Sequence, residues 1–317
     1  ITLFAGLMVL KGDTGTRKTT RLEEVTRSTE RLLIVVARRA LARATAEAYS
    51  HDREGNETNK VECYLDLPPG RITADRLVIC LDSLARVSLS EFDVVIIEES
   101  ESTFAHLFGG TIPPTDTNRR SGRLTIFDKL RSIISRTLEA GGTVVAADAN
   151  ASALTKKTLV SLASGTARPV LLRTICKAKR RATLTVHKYA KAAHALSVAL
   201  GMIRGGKRII VHFTQRTAAS AFAKAARAVV RHDGSYPRVK LYTSEEPEDV
   251  LDELGDVNTT WGPAACDVVV TSPVVETGTS FDRKDGGGRF DATCLIATHV
   301  PGIGFTNHLQ TVDRARN

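Results

Sequence analysis

Short, uninterrupted runs of aliphatic and β-branched residues recur along the whole chain, and stretches with helical spacing alternate with them. Runs that are apolar at every position, rather than at alternate positions, are typical of strands that are buried on both faces of a sheet. Such strands occur in parallel sheets that helices cover on both sides. The sequence therefore predicts an α/β protein, with strands in LFAGLMVL, LLIVVA, RLVICL, FDVVII, TVVAADA, RIIVHF, RVKLYT, CDVVVTSPVV and ATCLIATHV.

The alternation of strands and helices occurs in each half of the chain, and a basic stretch separates the halves. The 317 residues, of which 42% are hydrophobic, are enough to form two domains with separate cores. The basic stretch RTICKAKRRA marks the connection between them. We therefore predict two parallel α/β domains in tandem, at residues 1–172 and 183–317, joined by a linker at residues 173–182.

The chain carries an excess of positive charge. Lys and Arg together number 44 and Asp and Glu number 35, which gives a formal net charge of +9. A basic surface rich in arginine is suited to binding the phosphates of a nucleic acid. The same charge is also compatible with a role in solubility alone, so composition leaves both interpretations open.

The cysteines and the apolar runs indicate where the protein acts. The cysteines are scattered singly, without the spacing of zinc sites or disulfide frameworks, so we expect reduced thiols and an intracellular, reducing compartment. No apolar run reaches the roughly 18 residues of a membrane span, so we expect a soluble protein that does not contact membranes. The abrupt beginning and end of the sequence suggest a piece of a longer protein. The cysteines are Cys63, Cys80, Cys176, Cys266 and Cys294.

The segment LMVLKGDTGTRKTTRL has the spacing of a phosphate-binding loop between a strand and a helix. In such loops backbone N–H groups surround phosphates, a lysine binds the β- and γ-phosphates, and a hydroxyl binds Mg²⁺. Lys18 and Thr19 occupy the lysine and hydroxyl positions, which predicts ATP and Mg²⁺ as ligands. Arg17 stands where glycine is usual, so its side chain points outward or strains the backbone by about 1–3 kcal/mol. The candidate nucleotide-binding residues are Gly12, Asp13, Thr14, Gly15, Thr16, Arg17, Lys18, Thr19 and Thr20.

Two adjacent carboxylates, Glu98 and Glu99, follow the apolar run FDVVII. In nucleoside triphosphatases one such carboxylate holds Mg²⁺, and its neighbour orients or deprotonates the attacking water. The alternative is an acidic strand end that faces solvent. Asp148 ends a third apolar run, where it either couples the nucleotide site to the second domain or forms a turn after the strand. Together with the loop upstream, the glutamates favour phosphoryl transfer.

Two segments near the end of the chain carry further polar residues. ETGTSFD follows the last part of a buried strand, and its Gly278 and Asp282 are candidates for nucleotide contacts. NHLQTVDRARN ends the chain, and its Gln310, Arg314 and Arg316 suit a sensor and arginine fingers that reach a nucleotide on the other domain. A basic surface helix is the alternative interpretation of this final segment.

Taken in order, these segments resemble the motifs of superfamily 2 helicases. They are most similar to the origin-of-replication-binding helicases of herpesviruses and to related plasmid replication helicases. The resemblance covers nearly all of the chain and implies two RecA-like domains of the P-loop NTPase type. The segments that carry it are GDTGTRKTT, LIVVARRALARATAEAY, YLDL with RLVICLDSLARV, VVIIEESES, VVAADAN, VHFTQRTAASAFA, DVNTTWGPAACDVVVTSPVVETGTSFD and QTVDRAR.

The resemblance implies roles for the residues at matching positions. In that family the lysine and threonine of the loop bind phosphate and Mg²⁺, the first acidic residue holds the metal, and the second activates water. The final segment senses the γ-phosphate. The implied catalytic residues are Lys18, Thr19, Glu98, Glu99, Gln310, Arg314 and Arg316. The implied nucleic-acid track, which contacts backbone phosphates without reading bases, comprises Arg38, Arg39, Ser83, Thr214 and Thr277.

Three positions depart from the family pattern, because Arg17 replaces a glycine, Glu98 replaces an aspartate and Asp313 replaces a glycine. The longer carboxylate at position 98 alters the geometry that is available to Mg²⁺. The sequence thus predicts an ATP-dependent helicase core that moves along single-stranded or forked DNA, with RNA still open and with flanking replication domains or proteins as partners. A nucleic-acid-binding scaffold with weakened catalysis is the second hypothesis, and a small-molecule kinase is the third.

Overall fold

The computed structural model describes two compact units, one formed by residues up to 174 and the other by residues from 187. In each unit, helices flank a parallel sheet. The predicted α/β fold class is therefore confirmed. The described backbone comprises residues 3–12, 18–37, 39–51, 56–57, 59–89, 91–109, 112–117, 121–149, 151–163, 170–174, 187–272 and 290–296.

In the described part of the first unit, seven strands form one sheet in the order β3-β4-β2-β5-β6-β1-β7, and all neighbouring strands are parallel. The strands are β1 (Gly6–Lys11), β2 (Leu32–Val36), β3 (Glu62–Cys63), β4 (Arg76–Cys80), β5 (Val94–Glu98), β6 (Thr143–Asp148) and β7 (Val170–Thr174). The helices are α1 (Lys18–Thr26), α2 (Arg39–Ser50), α3 (Ser100–Phe108), α4 (Arg123–Glu139) and α5 (Ala153–Leu162), with a 3₁₀ helix at Leu81–Arg86.

The central strands of the first sheet are buried on both faces, as their uninterrupted apolar runs predict. Every position of β2, β5 and β6 is buried, including Ile34, Ile96 and Val145 at their centres. Helix α4 covers the sheet with an apolar side that includes Leu130 and Leu138. Each such side chain stabilises the fold by about 1.5–3 kcal/mol when it is fully buried. The first unit therefore has a core large enough to hold polar groups rigidly at the sheet's edge.

Two glycines form the turn that leads from α4 into β6. Gly141 has a φ of +84°, a conformation that residues with side chains rarely adopt. A Cβ atom at Gly142 would lie 2.8 Å from the backbone oxygens of Phe92 and Asp93, so only glycine fits there. The N–H of Thr143 then donates to the oxygen of Asp93 at 2.9 Å. This tight turn fixes the start of β6 beside β5.

The first sheet extends two residues into the segment that the sequence predicts as a linker. Arg173 pairs with Leu10 and Thr174 with Lys11 in the parallel register of β7 and β1. Arg173 and Thr174 are polar and end the strand, so the apolar pattern of the sequence did not include them in it. Residues 175–182 of the predicted linker lie outside the described residues.

In the described part of the second unit, four strands form a parallel sheet in the order β11-β8-β10-β9. The strands are β8 (Ile209–Phe213), β9 (Val239–Tyr242), β10 (Val268–Thr271) and β11 (Ala292–Ile296). The helices are α6 (Ala192–Arg204), α7 (Arg216–Arg227), α8 (Glu248–Asp252) and α9 (Val257–Thr260), with a 3₁₀ helix at Glu253–Asp256. No helix among the described residues has both the length and the apolar character needed to cross a membrane.

Candidate functional site

Three strand ends meet at the carboxyl edge of the first sheet. Strand β6 lies between β5 and β1, so the residues that end these strands, Glu98, Asp148 and Lys11, are neighbours. The register pairs Lys11 with Asp148 and Glu98 with Ala147. The N–H of Gly12 donates to the backbone oxygen of Asp148 at 3.2 Å. The fold therefore brings the start of the predicted phosphate-binding loop close to both predicted acidic segments.

Lys18 is the first residue of α1, and its ammonium group donates to the backbone oxygen of Gly12 at 2.6 Å. Thr19 and Thr20 follow in the first turn of the helix, where they are half-buried. The N–H groups in the first turn of a helix lack intrahelical partners, and the helix dipole there favours an anion. Lys18 and this helix start therefore form a setting that suits phosphate. The predicted loop residues outside the described part of the chain are Asp13, Thr14, Gly15, Thr16 and Arg17.

Glu98 is a buried carboxylate, 7% exposed, at the end of β5. Its Oε1 accepts a hydrogen bond from the hydroxyl of Tyr49 at 2.9 Å. Burial is the main cause that raises the pKa of Glu98 to about 7, and the neighbouring charge of Glu99 raises it further. The Tyr49 hydrogen bond and the charge of Lys18 act in the opposite direction, whereas Asp148 again raises it. The carboxylate therefore lies where a proton or a cation stabilises it.

Glu99 connects β5 to α3 through an unusual backbone conformation. Its φ of 46° and ψ of 55° lie in the left-handed region, and it is the only non-glycine residue with a positive φ in the described part of the chain. This conformation costs about 1 kcal/mol for a residue with a side chain. Such strain is found most often at functional sites. The conformation turns the chain directly after Glu98, so that the two carboxylates lie at the strand end and the helix start.

Asp148 joins the segment after β6 to the segment after β5. This residue is 1% exposed, and its Oδ2 accepts a hydrogen bond from the N–H of Glu101 at 2.8 Å. The Oε1 of Glu101 in turn accepts hydrogen bonds from the N–H of Ser152 at 2.6 Å and from the hydroxyl of Thr155. The segments after β5 and β6 are thus tied together by charge-assisted hydrogen bonds. Glu101 is not among the residues predicted from the sequence.

The residues at this sheet edge fit a magnesium nucleotide. No group of three or more His, Cys, Asp or Glu side chains that could hold a metal ion is present among the described residues. Mg²⁺ in nucleotide sites usually takes only one or two protein ligands and completes its shell with phosphates and water. Glu98 is a suitable carboxylate, because nearby Glu99 and Asp148 oppose its ionisation and a cation would offset their charge. The ammonium group of Lys18, which donates to Gly12, has the charge that a phosphate partner requires.

A cleft on the same unit contains two of the predicted nucleic-acid residues. Arg39, which is exposed at the start of α2, and Ser83, which is half-buried in the 3₁₀ helix, line a volume of about 330 Å³. Arg86 also lines it and donates to the backbone oxygens of Gly70 at 2.8 Å and Pro68 at 2.7 Å. The sequence analysis did not identify this third basic or polar group. The remaining lining residues are Tyr64, Leu65, Leu67 and Pro69.

The remaining predicted residues lie in the second unit or outside the described residues. Thr214 is buried in the second unit, directly after β8, and its N–H donates to the backbone oxygen of Ile296 at 3.2 Å. The predicted residues that lie outside the described residues are Arg38, Thr277, Gly278, Asp282, Gln310, Arg314 and Arg316, and Asp313 lies there too.

Comparison with known proteins yields similarities in structure only. No family model matches the sequence, and no curated protein matches it. The DUF1998 helicase MrfA bound to DNA aligns with a TM-score of 0.61 at 12% identity, over 98% of this chain and 44% of MrfA. T. fusca Cas3 with AMPPNP aligns with a TM-score of 0.59 at 13% identity, over 98% of this chain and 42% of Cas3. An S. cerevisiae Dbp5 variant bound to RNA and ADP BeF3 aligns with a TM-score of 0.58 at 12% identity, over 98% of this chain and 83% of the Dbp5 chain.

These similarities concern the fold, because the sequence identities are only 12% and 13%. The chain spans less than half of the length of the MrfA and Cas3 structures, at 44% and 42%. In both of its units, helices flank a parallel sheet. The chain therefore has the fold shared by these solved structures, built from RecA-like α/β units.

Proposed function

We propose that the chain is the ATP-dependent motor core of a superfamily 2 helicase that moves along single-stranded DNA. The observation that carries this proposal is the position of Lys18, Glu98 and Asp148 at one edge of the first sheet. The presence of Arg39 and Ser83 in a cleft of the same unit supports it. The shared fold with MrfA bound to DNA and Cas3 with AMPPNP supports it as well.

In the proposed reaction, each residue of the site has a role that its position suits. Lys18 binds the β- and γ-phosphates of ATP. Its ammonium group then donates to phosphate oxygens instead of the backbone oxygen of Gly12. Thr19 and Glu98 would hold Mg²⁺, which would supply positive charge to offset the charge of the phosphates. Glu99 accepts the proton of the attacking water. The residues proposed to sense the γ-phosphate from the second unit are Gln310, Arg314 and Arg316.

The biological setting is proposed from the sequence motifs. The resemblance of GDTGTRKTT, VVIIEESES and QTVDRAR to origin-binding helicases of herpesviruses and plasmids favours a role in unwinding duplexes during DNA replication. Flanking domains or other replication proteins would then recognise the origin, inside a cell or its nucleus. Binding by the core would depend mainly on phosphate contacts and would therefore weaken strongly as salt concentration rises.

The proposal is tested by ATP hydrolysis of the intact chain with and without Mg²⁺, single-stranded DNA and single-stranded RNA. A motor requires Mg²⁺, and its rate rises when it binds the strand along which it moves. We expect a larger increase with DNA than with RNA. A forked duplex with a labelled strand then measures unwinding. Absence of hydrolysis with both nucleic acids would contradict the motor function, and stimulation by RNA alone would contradict the choice of DNA.

A nucleic-acid-binding scaffold with weakened catalysis is the second candidate function. Three departures favour it, namely the arginine at position 17, the longer carboxylate at position 98 and the aspartate at position 313. Thermal unfolding with magnesium and ATP distinguishes it from the motor. A site with micromolar affinity gains about 4 kcal/mol of stability at millimolar ATP, whereas a site that has lost its affinity gains almost none.

Replacement of Arg39 by alanine is expected to weaken binding of single-stranded DNA. Arg39 is exposed and lines the cleft, so its loss removes one phosphate contact without disturbing the core. We expect the affinity for single-stranded DNA to fall by about tenfold at low salt. The slope of log Kd against log salt concentration should decrease by about one, because one phosphate contact is lost. Fluorescence anisotropy over a salt series measures both quantities.

Arg43→Ala is a matched control for this change. Arg43 lies one turn further along α2, is also exposed, and pairs with Asp66 at 3.4 Å rather than lining the cleft. Its replacement should leave the salt dependence almost unchanged. Equal weakening by both substitutions would indicate a general effect of charge and would argue against a defined contact at Arg39.

A further inference from the structure

Helix α2 connects the cleft to the buried carboxylate of Glu98. Arg39 is its first residue and lines the cleft, whereas Tyr49 is its penultimate residue and donates to Glu98. The two are ten positions apart, which corresponds to about 15 Å along an α-helix. One rigid element therefore contacts the proposed nucleic-acid site at one end and the proposed metal site at the other.

The packing of α2 suits it to carry a displacement from one end to the other. Ala42 and Ala46, on the same side as Tyr49, are buried and small, so the helix lies close against its neighbours. Its last residue is also fixed, because the hydroxyl of Ser50 donates to the oxygen of Ala46 at 2.7 Å and accepts from the N–H of Val61 at 2.9 Å. Tightly packed elements of this kind shift as units rather than bend.

The hydrogen bond from Tyr49 restricts the orientation of the long Glu98 side chain. Glutamate has one more rotatable bond than aspartate, so its carboxylate has more orientations available at the end of β5. A donor at 2.9 Å that is itself buried, with Tyr49 1% exposed, selects one of these orientations. The position of α2 therefore determines where the Glu98 carboxylate points.

We propose that Tyr49 is a positioning residue that couples the cleft to the nucleotide site. Nucleic acid held at Arg39 fixes the position of α2, and the Tyr49 hydroxyl then fixes the Glu98 carboxylate in the orientation that suits a magnesium nucleotide. This inference rests on the proposed function for the identity of the two ligands. By thermodynamic linkage, the nucleotide must strengthen nucleic-acid binding by the same factor.

The test compares wild type with Tyr49→Phe, which removes the hydroxyl and keeps the ring. The affinity for single-stranded DNA is measured with and without Mg²⁺ and AMPPNP, so that the readout does not require hydrolysis. We expect the nucleotide to tighten wild-type DNA binding by about fivefold or more, and by less than about twofold in Tyr49→Phe. The affinity for DNA in the absence of nucleotide should be the same for both proteins.

Tyr242→Phe is the matched control, because Tyr242 is also fully buried and its hydroxyl donates to a glutamate, Glu253, at 2.7 Å in the second unit. It should retain the coupling of wild type. A second arm uses Glu98→Asp, whose shorter side chain no longer reaches Tyr49. Adding Tyr49→Phe to that variant should have no further effect, because the interaction is already absent.

The outcomes separate this inference from the proposed function. Coupling in wild type that persists in Tyr49→Phe, or absence of coupling in wild type, would overturn the inference. Coupling that disappears in Tyr49→Phe would support it even if the wild-type chain does not hydrolyse ATP, a result that would contradict the motor function alone. Equal loss of coupling in Tyr242→Phe would also overturn it, because the effect would then be a general consequence of removing a buried hydroxyl.

Discussion

ATP hydrolysis by Lys18→Ala is expected to be at least about 100-fold slower than hydrolysis by wild type, with and without nucleic acid. Lys18 is the cation at the start of α1, where its ammonium group already lies 2.6 Å from the oxygen of Gly12. Its removal leaves the developing charge of the γ-phosphate without its main protein counter-charge. A coupled assay of phosphate release under saturating Mg²⁺ and ATP measures the change.

Lys11→Ala controls for the loss of a positive charge near the site. Lys11 ends β1 one residue before Gly12 and is exposed to solvent, so it should contribute only weakly to the reaction. We expect less than about a threefold change in rate for this variant. Hydrolysis by Lys18→Ala at the wild-type rate would show that the loop does not act as proposed, whatever the affinity for ATP.

Glu98→Gln is expected to have two opposite effects, a loss of hydrolysis by at least about 100-fold and a gain in stability without Mg²⁺. Glutamine keeps the size of the side chain and can still accept from Tyr49, but it provides no charge for a cation. The gain in stability follows from the buried environment, which raises the pKa of Glu98 from 4.5 to about 7. The variant should therefore be a more stable protein that is almost inactive.

The sign of the stability effect depends on pH. The folded state of wild type holds a proton on Glu98 up to about pH 7, whereas the unfolded chain releases it near pH 4.5. Between these values the folded state binds more protons, so the stability of wild type decreases as pH rises. Glutamine does not ionise and avoids this loss. We expect Glu98→Gln to be more stable by about 3 kcal/mol at pH 8 and nearly equal to wild type below pH 4.5.

Urea unfolding in EDTA at pH 8 and pH 4.5 measures the difference, with circular dichroism to follow both units. The single tryptophan, Trp261, is buried in the second unit, so its fluorescence provides an internal reference that Glu98→Gln should leave unchanged. A stabilisation of the same size at both pH values would contradict the assignment of the effect to the ionisation of Glu98.

The sequence predicted the strands and the residues at their ends because both depend on local patterns. The run FDVVII with its two glutamates specified β5 and the position of Glu98. The spacing of Gly12 and Lys18 specified a strand, a loop and a helix start in the same way. The parallel arrangement then required these ends to lie at one edge of the sheet.

The partners of these residues could not be predicted, because they come from distant parts of the chain. Tyr49 reaches Glu98 across 49 positions, and Glu101 reaches Thr155 across 54. A tyrosine near the end of an amphipathic helix has the same sequence pattern whether its hydroxyl faces a core, solvent or a carboxylate. Hydrogen bonds of this kind depend on how helices pack on the sheet, which hydrophobic spacing determines only approximately.

The left-handed backbone of Glu99 has a consequence for which amino acids position 99 can accept. Glycine, asparagine or aspartate would adopt this conformation at a lower cost, and a β-branched residue would adopt it at a higher one. A carboxylate with the reach of glutamate is required there only if it acts on the attacking water. If Glu99 has the role proposed for it, selection for stability and selection for chemistry favour different residues at this position.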